Sequence, residues 1–301
     1  MNFADRLLRF TNIVEARYPA TGTRLGVEGR QVHAVTTGAA GGTPIVLVHG
    51  ASGNVRDFAL SILPGLAQRH TVIALDRPGF GYSETLPDHG WRLSHQVDAL
   101  RGAIRTMGHT RYILAGHSYG GTLVMRWVLQ HPDEVAGVLA LSAPVLDWGG
   151  GGLGIHYEIG GRPVIGPALA WVAPLLAGPD WLKSAMTDVF APDPVPPAYF
   201  TEGGVELALR PHTFRANSVM MFKIYSEILD QYRRYPEITC PVEIVHGEAD
   251  IIVPPQIHAI PLSNILPDAR LTLLPGVGHM PHHARPNDVV AALDRLAAAA
   301  R

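Results

Sequence analysis

A single cysteine, Cys240, stands in a chain of 301 residues, so no disulfide can close within it. Stability must come from a buried core, and a reducing, cytoplasmic setting is expected. Charge is scarce as well. Only 17% of residues are Asp, Glu, Lys or Arg, the formal net charge is −2, and no long run carries one sign. The chain lacks the electrostatic footprint of a nucleic-acid binder and suits a small uncharged substrate. No apolar run approaches the roughly 18 residues of a membrane span. Met1–Tyr18 does not read as a signal peptide, because Asp5, Arg6 and Arg9 interrupt any apolar stretch. Phe3, Leu7, Phe10 and Val14 recur there at helical spacing, which predicts an N-terminal helix within residues 1–20, packed on the body. A membrane-surface or homodimer contact is the alternative use of that face.

Hydrophobic residues are plentiful, at 47%, enough for one large core. Arg24–Gly29 and Arg30–Thr36 read as a strand hairpin. Four largely apolar runs follow: Pro44–Val48, Thr71–Leu75, Arg111–Ala115 and Val135–Leu141. Each reads as a strand buried on both faces. Helical patterns lie between them near Ser61–Arg69, over Leu93–Met107 and over Thr122–Gln130. The alternation then breaks. From Pro144 to about Pro236 the chain is rich in Gly, Pro and aromatics, with apolar helical pieces at Ala168–Leu176 and Ser218–Leu229. Gly149-Gly150-Gly151-Gly152 reads as a flexible joint, since no strand feeds it as a phosphate loop would require. Alternation resumes with strands Val242–His246 and Arg270–Leu274 and helices Pro255–Leu266 and Asn287–Ala300. The expected fold is α/β: an eight-stranded, mostly parallel sheet flanked by helices. Residues 1–143 and 237–301 form its core, and residues 144–236 form a mainly helical insertion.

The sharpest motif is Gly116-His117-Ser118-Tyr119-Gly120-Gly121, between the third buried run and a helix. A serine on so tight a turn is strained, and glycines beside it relieve the crowding. The turn lifts the hydroxyl above the sheet edge at a helix N-terminus. Serine alone is a poor nucleophile and needs a base. His279, in Gly276-Val277-Gly278-His279-Met280, follows the last strand and fits, with His282 and His283 as rivals or rim residues. A metal site made of these three histidines lacks a supporting carboxylate or thiolate spacing, so no metal is expected. Asp250, in the loop after Val242–His246, is the candidate to orient the imidazole, with Glu248 and Asp147 as rivals. Oxyanion donors are expected from the backbone N–H groups of Tyr119 and Ala51, the latter in His49-Gly50-Ala51-Ser52-Gly53. One such donor is worth about 3 kcal/mol of barrier. His49 reads as a structural residue beneath that loop.

The order Ser, Asp, His, the serine turn, the His49-Gly50 turn and Asp76-Arg77-Pro78-Gly79-Phe80-Gly81-Tyr82-Ser83 together resemble the α/β-hydrolase family. The likeness runs from about Arg24 to the C-terminus and is weakest over the insertion. It implies that Ser118, Asp250 and His279 form a catalytic triad, that the insertion is a lid, and that Asp76–Ser83 is a structural turn near the pocket. A serine at 118 is unlike the family's epoxide hydrolases and haloalkane dehalogenases, whose nucleophile is aspartate. The chain also lacks a triple-glycine oxyanion motif. It is similar to the small esterases, perhydrolases and carbon–carbon bond hydrolases.

Trp148, Trp171, Trp181, Tyr157, Phe190, Phe200, Phe214, Met220, Met221 and Phe222 all lie in the insertion. Aromatics and methionines suit an adaptable apolar pocket, or simply glue a lid onto the body. Trp148, Met220, Met221, Phe222 and, beside the base, Met280 are the substrate-contact candidates. The expected activity is cleavage of small to medium, largely apolar carboxylic esters through an acyl-enzyme, without cofactor. Carbon–carbon bond hydrolysis, acyl transfer or perhydrolysis on the same triad, and a slow-turnover ligand receptor, are the alternatives.

Overall fold

Continuous apolar runs can form strands only where both sheet faces are covered, and here they do. In the computed structural model, which describes residues 3–151, 154–176 and 178–300, with the side chains of 3, 4, 173–176 and 179 excepted, eight strands form one sheet. They are β1 (Thr23–Val27), β2 (Arg30–Gly38), β3 (Ile45–Val48), β4 (Thr71–Leu75), β5 (Tyr112–His117), β6 (Val135–Leu141), β7 (Val242–Gly247) and β8 (Ala269–Leu274). Their order is β1-β2-β4-β3-β5-β6-β7-β8. β2 runs antiparallel to β1 and β4, and every other pairing is parallel.

Side chains alternate between two apolar layers, as a period of two demands. Val46, Val48, Ile73, Leu75 and Leu114 face one layer. Ile45, Leu47, Val72, Ala74 and Ile113 face the other. Helices Leu93–Thr106 and Tyr119–Gln130 cover the first layer, with Leu93, Val97, Leu100 and Ile104 buried along one stripe. Helices Leu63–Ala67 and Pro286–Ala299 cover the second through Leu66, Val289, Leu293 and Leu296. The N-terminal helix, Phe3–Arg17, buries Leu7 and Val14, and Phe10 packs beside Val14. The Phe3 side chain lies outside the described residues. Among those residues no helix is long and apolar enough to cross a membrane.

The helix after the serine turn starts at Tyr119, three residues before the expected Thr122. Gly120 and Gly121 read as loop because glycine disfavours helices. Here they lie inside the helix, because the neighbouring chain crosses too close for any side chain. A Cβ on Gly120 would lie 2.1 Å from the Val48 carbonyl oxygen, and one on Gly121 would lie 2.3 Å from the Ala143 Cβ. Gly120→Ala is therefore expected to cost about 3 kcal/mol or more, since backbone on both sides must move. Urea denaturation measures this, and an unchanged midpoint would contradict it.

Between β6 and β7 the chain forms helices Ile155–Gly160, Ile165–Leu176, Pro179–Phe190, Pro197–Glu202 and Pro211–Gln231. The last is the longest among the described residues and packs Ile224 and Ile228 onto the first layer. Of the expected glycine joint, Gly149 to Gly151 take positive φ angles and Gly152 lies outside the described residues.

Candidate active site

Three loops at the carboxyl edge of the sheet meet above β5. Ser118 caps the helix Tyr119–Gln130 with φ 51° and ψ −120°, a conformation that costs a non-glycine residue energy and is held by its surroundings. Its N–H donates to the Leu141 carbonyl at 2.9 Å, which clamps the turn to β6. A Cβ at Gly116 would lie 2.1 Å from the Gly120 oxygen, so the turn closes only with glycine there.

The structure places His279 and Asp250 in series with Ser118. His279 Nδ1 lies 2.8 Å from Asp250 Oδ2, and His279 Nε2 lies 3.0 Å from Ser118 Oγ. Burial acts against ionisation of Asp250, but hydrogen bonds from His246 and His279 outweigh it and hold the carboxyl well below the usual range. An ionised carboxylate has no proton to give. His279 Nδ1 therefore carries the hydrogen, and Nε2 is left to accept from the Ser118 hydroxyl. Asp250 is itself pinned: its Oδ1 accepts the N–H groups of Ile252 at 3.0 Å and Val253 at 2.9 Å. The rivals lie elsewhere. Glu248 is exposed, and Asp147 accepts from the Tyr225 hydroxyl at the surface. His282 and His283 both donate to Asp57, at 3.0 and 2.8 Å. That cluster ties the segment after β3 to the segment carrying His279.

Several supporting residues escape a reading of the sequence alone. His246 Nε2 donates to the Val253 carbonyl at 2.7 Å and lies 3.2 Å from Asp250 Oδ2. His117 Nε2 donates to the backbone carbonyl of His279 at 2.9 Å. Burial first, then the nearby His282 and His279, push the His117 imidazole well below its ordinary value, so the ring is neutral. The segment between β6 and β7 grips the loop after β3 and the loop that carries His279. Asn217 accepts from the Ser52 N–H at 3.1 Å and donates to its hydroxyl at 2.8 Å. Asp193 accepts from the Gly278 N–H at 2.8 Å.

The Ala51 loop lies against Ser118. A Cβ on Gly50 would stand 3.2 Å from the Ser118 Cβ. Among the described residues neither the Ala51 N–H nor the Tyr119 N–H donates to a backbone carbonyl outside regular structure. Arg77 holds the loop from below, donating to the carbonyls of His49 at 3.1 Å and Gly50 at 2.9 Å. Its guanidinium is sandwiched between the Phe80 and Tyr119 rings, 4.1 and 4.2 Å from their centroids, and burial pushes it down to about 10. His49 is fully buried, donates to the Gly50 carbonyl and accepts from the Arg77 N–H. Asp76 accepts from Val55 N–H, Tyr82 N–H and His33, closing the Asp76–Ser83 turn.

A cavity of about 270 Å³ opens above Ser118. Trp148 and Met221 line it. Met220, Phe222 and Met280 do not. Residues 220, 221 and 222 point about 100° apart around one helix. Met221 and Ile224 share the cavity face, whereas Met220 is buried with its sulfur 3.5 Å from Arg77, and Phe222 packs over Gly161. Met280 turns away from His279 into a cluster with Phe190 and Tyr199. The opposite wall comes from Ile251, Ile252, Val253, Pro254, Ile257 and His258, in the loop that carries Asp250. That apolar run, directly after the acid, was the sequence signal for it.

Among known proteins, the chain is 29% identical over 259 residues to a dihydrolipoyllysine-residue acetyltransferase component of an acetoin cleaving system from Pseudomonas putida. The matched stretch takes in 84% of this chain and 63% of that protein, so the chain spans less than two thirds of that relative's length. It is 27% identical over 267 residues to a 2-(acetamidomethylene)succinate hydrolase from Mesorhizobium japonicum, covering 84% of this chain and 87% of that one. A thermophilic esterase from Thermogutta terrifontis superposes with a TM-score of 0.73 over 93% of this chain and 99% of the other, at 20% identity, a likeness of fold. The sequence profile of the alpha/beta hydrolase family matches residues 45–293, and with the strand order and the serine turn described above it shows that this chain is a member of that family.

Proposed function

We propose that the protein hydrolyses carboxylic esters of small to medium, largely apolar and uncharged substrates through an acyl-enzyme. The observation that carries this reading is the hydrogen-bonded series Ser118, His279, Asp250 opening onto an apolar cavity. Ser118 Oγ attacks the ester carbonyl while His279 Nε2 takes its proton. The N–H groups of Ala51 and Tyr119 receive the developing oxyanion. His279 then gives its proton to the departing alcohol, which leaves the acyl group on Ser118. Water enters, His279 removes its proton, and the acid is released. Asp250 holds the imidazole in the required tautomer and stabilises its cation. Residues 144–236 serve as the lid over the core, and the unpaired Cys240 thiol fits the cytoplasm.

A fluorophosphonate probe is expected to label Ser118 stoichiometrically, and Ser118→Ala to abolish both labelling and ester turnover. A folded wild-type protein that stays unlabelled and leaves 4-nitrophenyl esters intact would sink the reading.

A further inference from the structure

The cavity wall is mostly apolar, and its polar side chains can be accounted for one by one. The Tyr119 hydroxyl accepts from Gln96, and Trp148 Nε1 donates to the Gly151 carbonyl. The polar side chains left facing the space are Ser118 and, on the wall beyond it, His258.

His258 has a defined tautomer. The N–H groups of Val145 and Leu146 both point at its Nδ1, at 3.3 and 3.2 Å. Nδ1 is thus an acceptor, and the ring hydrogen sits on Nε2. Burial, and next the neighbouring His246, push the imidazole down to about 4, with Asp250 opposing, so it is neutral at physiological pH. Among the described residues Nε2 has no protein partner. Nor is it one of the sealed unpaired atoms, which belong to Gln130, His131, Ser142, Ser218, Gln231 and His282. The residue as a whole is 3% exposed and lines the cavity. Nε2–H therefore opens onto the cavity. A donor kept dry without a partner is costly in an apolar wall and becomes a recognition element when a ligand supplies an acceptor. Among the described residues no lysine or arginine lines the cavity, and the Asp250 carboxylate acts on the His258 ring, which disfavours an anionic acceptor.

We propose that His258 is a specificity-determining donor, and that the substrate bears a neutral oxygen (keto, hydroxy or ether) placed to accept from its Nε2–H. This rests on the ester-hydrolase reading above and narrows its substrate class from plain hydrocarbon esters to oxygen-substituted ones.

The test uses 4-nitrophenyl hexanoate and analogues in which a ketone or ether oxygen is walked along the acyl chain, each corrected for its rate with hydroxide. At one position the oxygenated ester is expected to exceed hexanoate in kcat/KM by about tenfold. In His258→Phe that ratio is expected to fall to near one. His258→Asn keeps an acceptor for the two backbone N–H groups and restores an amide donor, so part of the ratio returns. The ratio within each protein is the readout, so a slower or less stable variant remains informative. A flat wild-type series overturns the proposal even if His258→Phe does not fold. So does a ratio that survives in His258→Phe, or a chain-borne carboxylate preferred over the ketone. Fluorophosphonate labelling with hexanoate turnover but flat ratios defeats this inference alone. Absence of both labelling and turnover defeats the ester-hydrolase reading and this one with it.

Discussion

Asp250→Asn is expected to lower kcat/KM for a simple aryl ester by about 10⁴-fold, with the fold retained. Asparagine is nearly isosteric, and its amide oxygen can still accept the N–H groups of Ile252 and Val253. Its amide nitrogen then faces His279 Nδ1, which donates to the native carboxylate. Two donors cannot pair. His279 relieves the clash by moving its hydrogen to Nε2, the atom that must accept the Ser118 proton. The wrong tautomer removes the general base, and the imidazolium also loses its counter-charge. A loss of about 10⁴-fold corresponds to roughly 5 kcal/mol of barrier. Fluorophosphonate labelling should slow in parallel, and the thermal midpoint should fall modestly, because the stabilisation by the ionised carboxylate is lost with it. A loss smaller than tenfold would mean that another group orients the base, with Glu248→Gln as the next variant to examine.

The second large effect is on stability in acid. His49, His117, His258 and His282 are all buried. Burial is the leading cause that lowers each of them, to about 4 for His49 and His258, and well below its ordinary value for His117. An unfolded histidine titrates near 6.5. Below that pH the unfolded chain binds protons that these four sites refuse, so acid favours unfolding. The stabilisation is fully present above about 6.5 and is lost as pH falls towards the folded values. Each such proton lowers the folding equilibrium constant by up to tenfold per pH unit, so His49 and His258 together lower it by up to about 10² per unit near pH 5, with His117 and His282 acting in the same direction. The carboxylates act in a lower window with the same direction. Burial opposes ionisation of Asp57, Asp76 and Asp250, but their histidine partners hold each one down. Their contribution is present above the usual carboxylate range near 4 and is lost as pH falls through the folded values. Denaturant midpoints measured from pH 7.5 to 4.5 should fall steeply below about 6.5. A flat profile down to pH 5 would show that these imidazoles are not held neutral.

The sheet was legible because it is written in contiguous residues. Val72–Leu75 and Val135–Leu141 carry no polar side chain, and the strands Thr71–Leu75 and Val135–Leu141 have the expected bounds. The serine turn was legible for a related reason, since its glycines answer a crowding felt within a few residues. What the sequence hid is of two kinds. One is pairing over long separations: Asp57 meets His282 and His283 across more than 220 residues, and Asn217 meets Ser52 across 165. No local pattern marks such a pair. The other is rotational phase. Met220, Met221 and Phe222 look equivalent in sequence, but helix rotation sends only Met221 into the cavity, and that rotation is fixed by packing of Ile224 and Ile228.

The two grips of the insertion, Asn217 on Ser52 and Asp193 on Gly278, bear on how such a protein can diversify. The part that brings Trp148 and Met221 to the cavity also holds the loop after β3 and the loop that carries His279. Exchanging residues 144–236 for a foreign segment would alter substrate choice and loosen the reacting groups at the same time, unless the graft brought its own amide and carboxylate to those two places. Selection for a new substrate is therefore less hindered at the side chains of Ile251, Ile252 and Ile257, which can change while the backbone N–H groups that hold Asp250 stay in place.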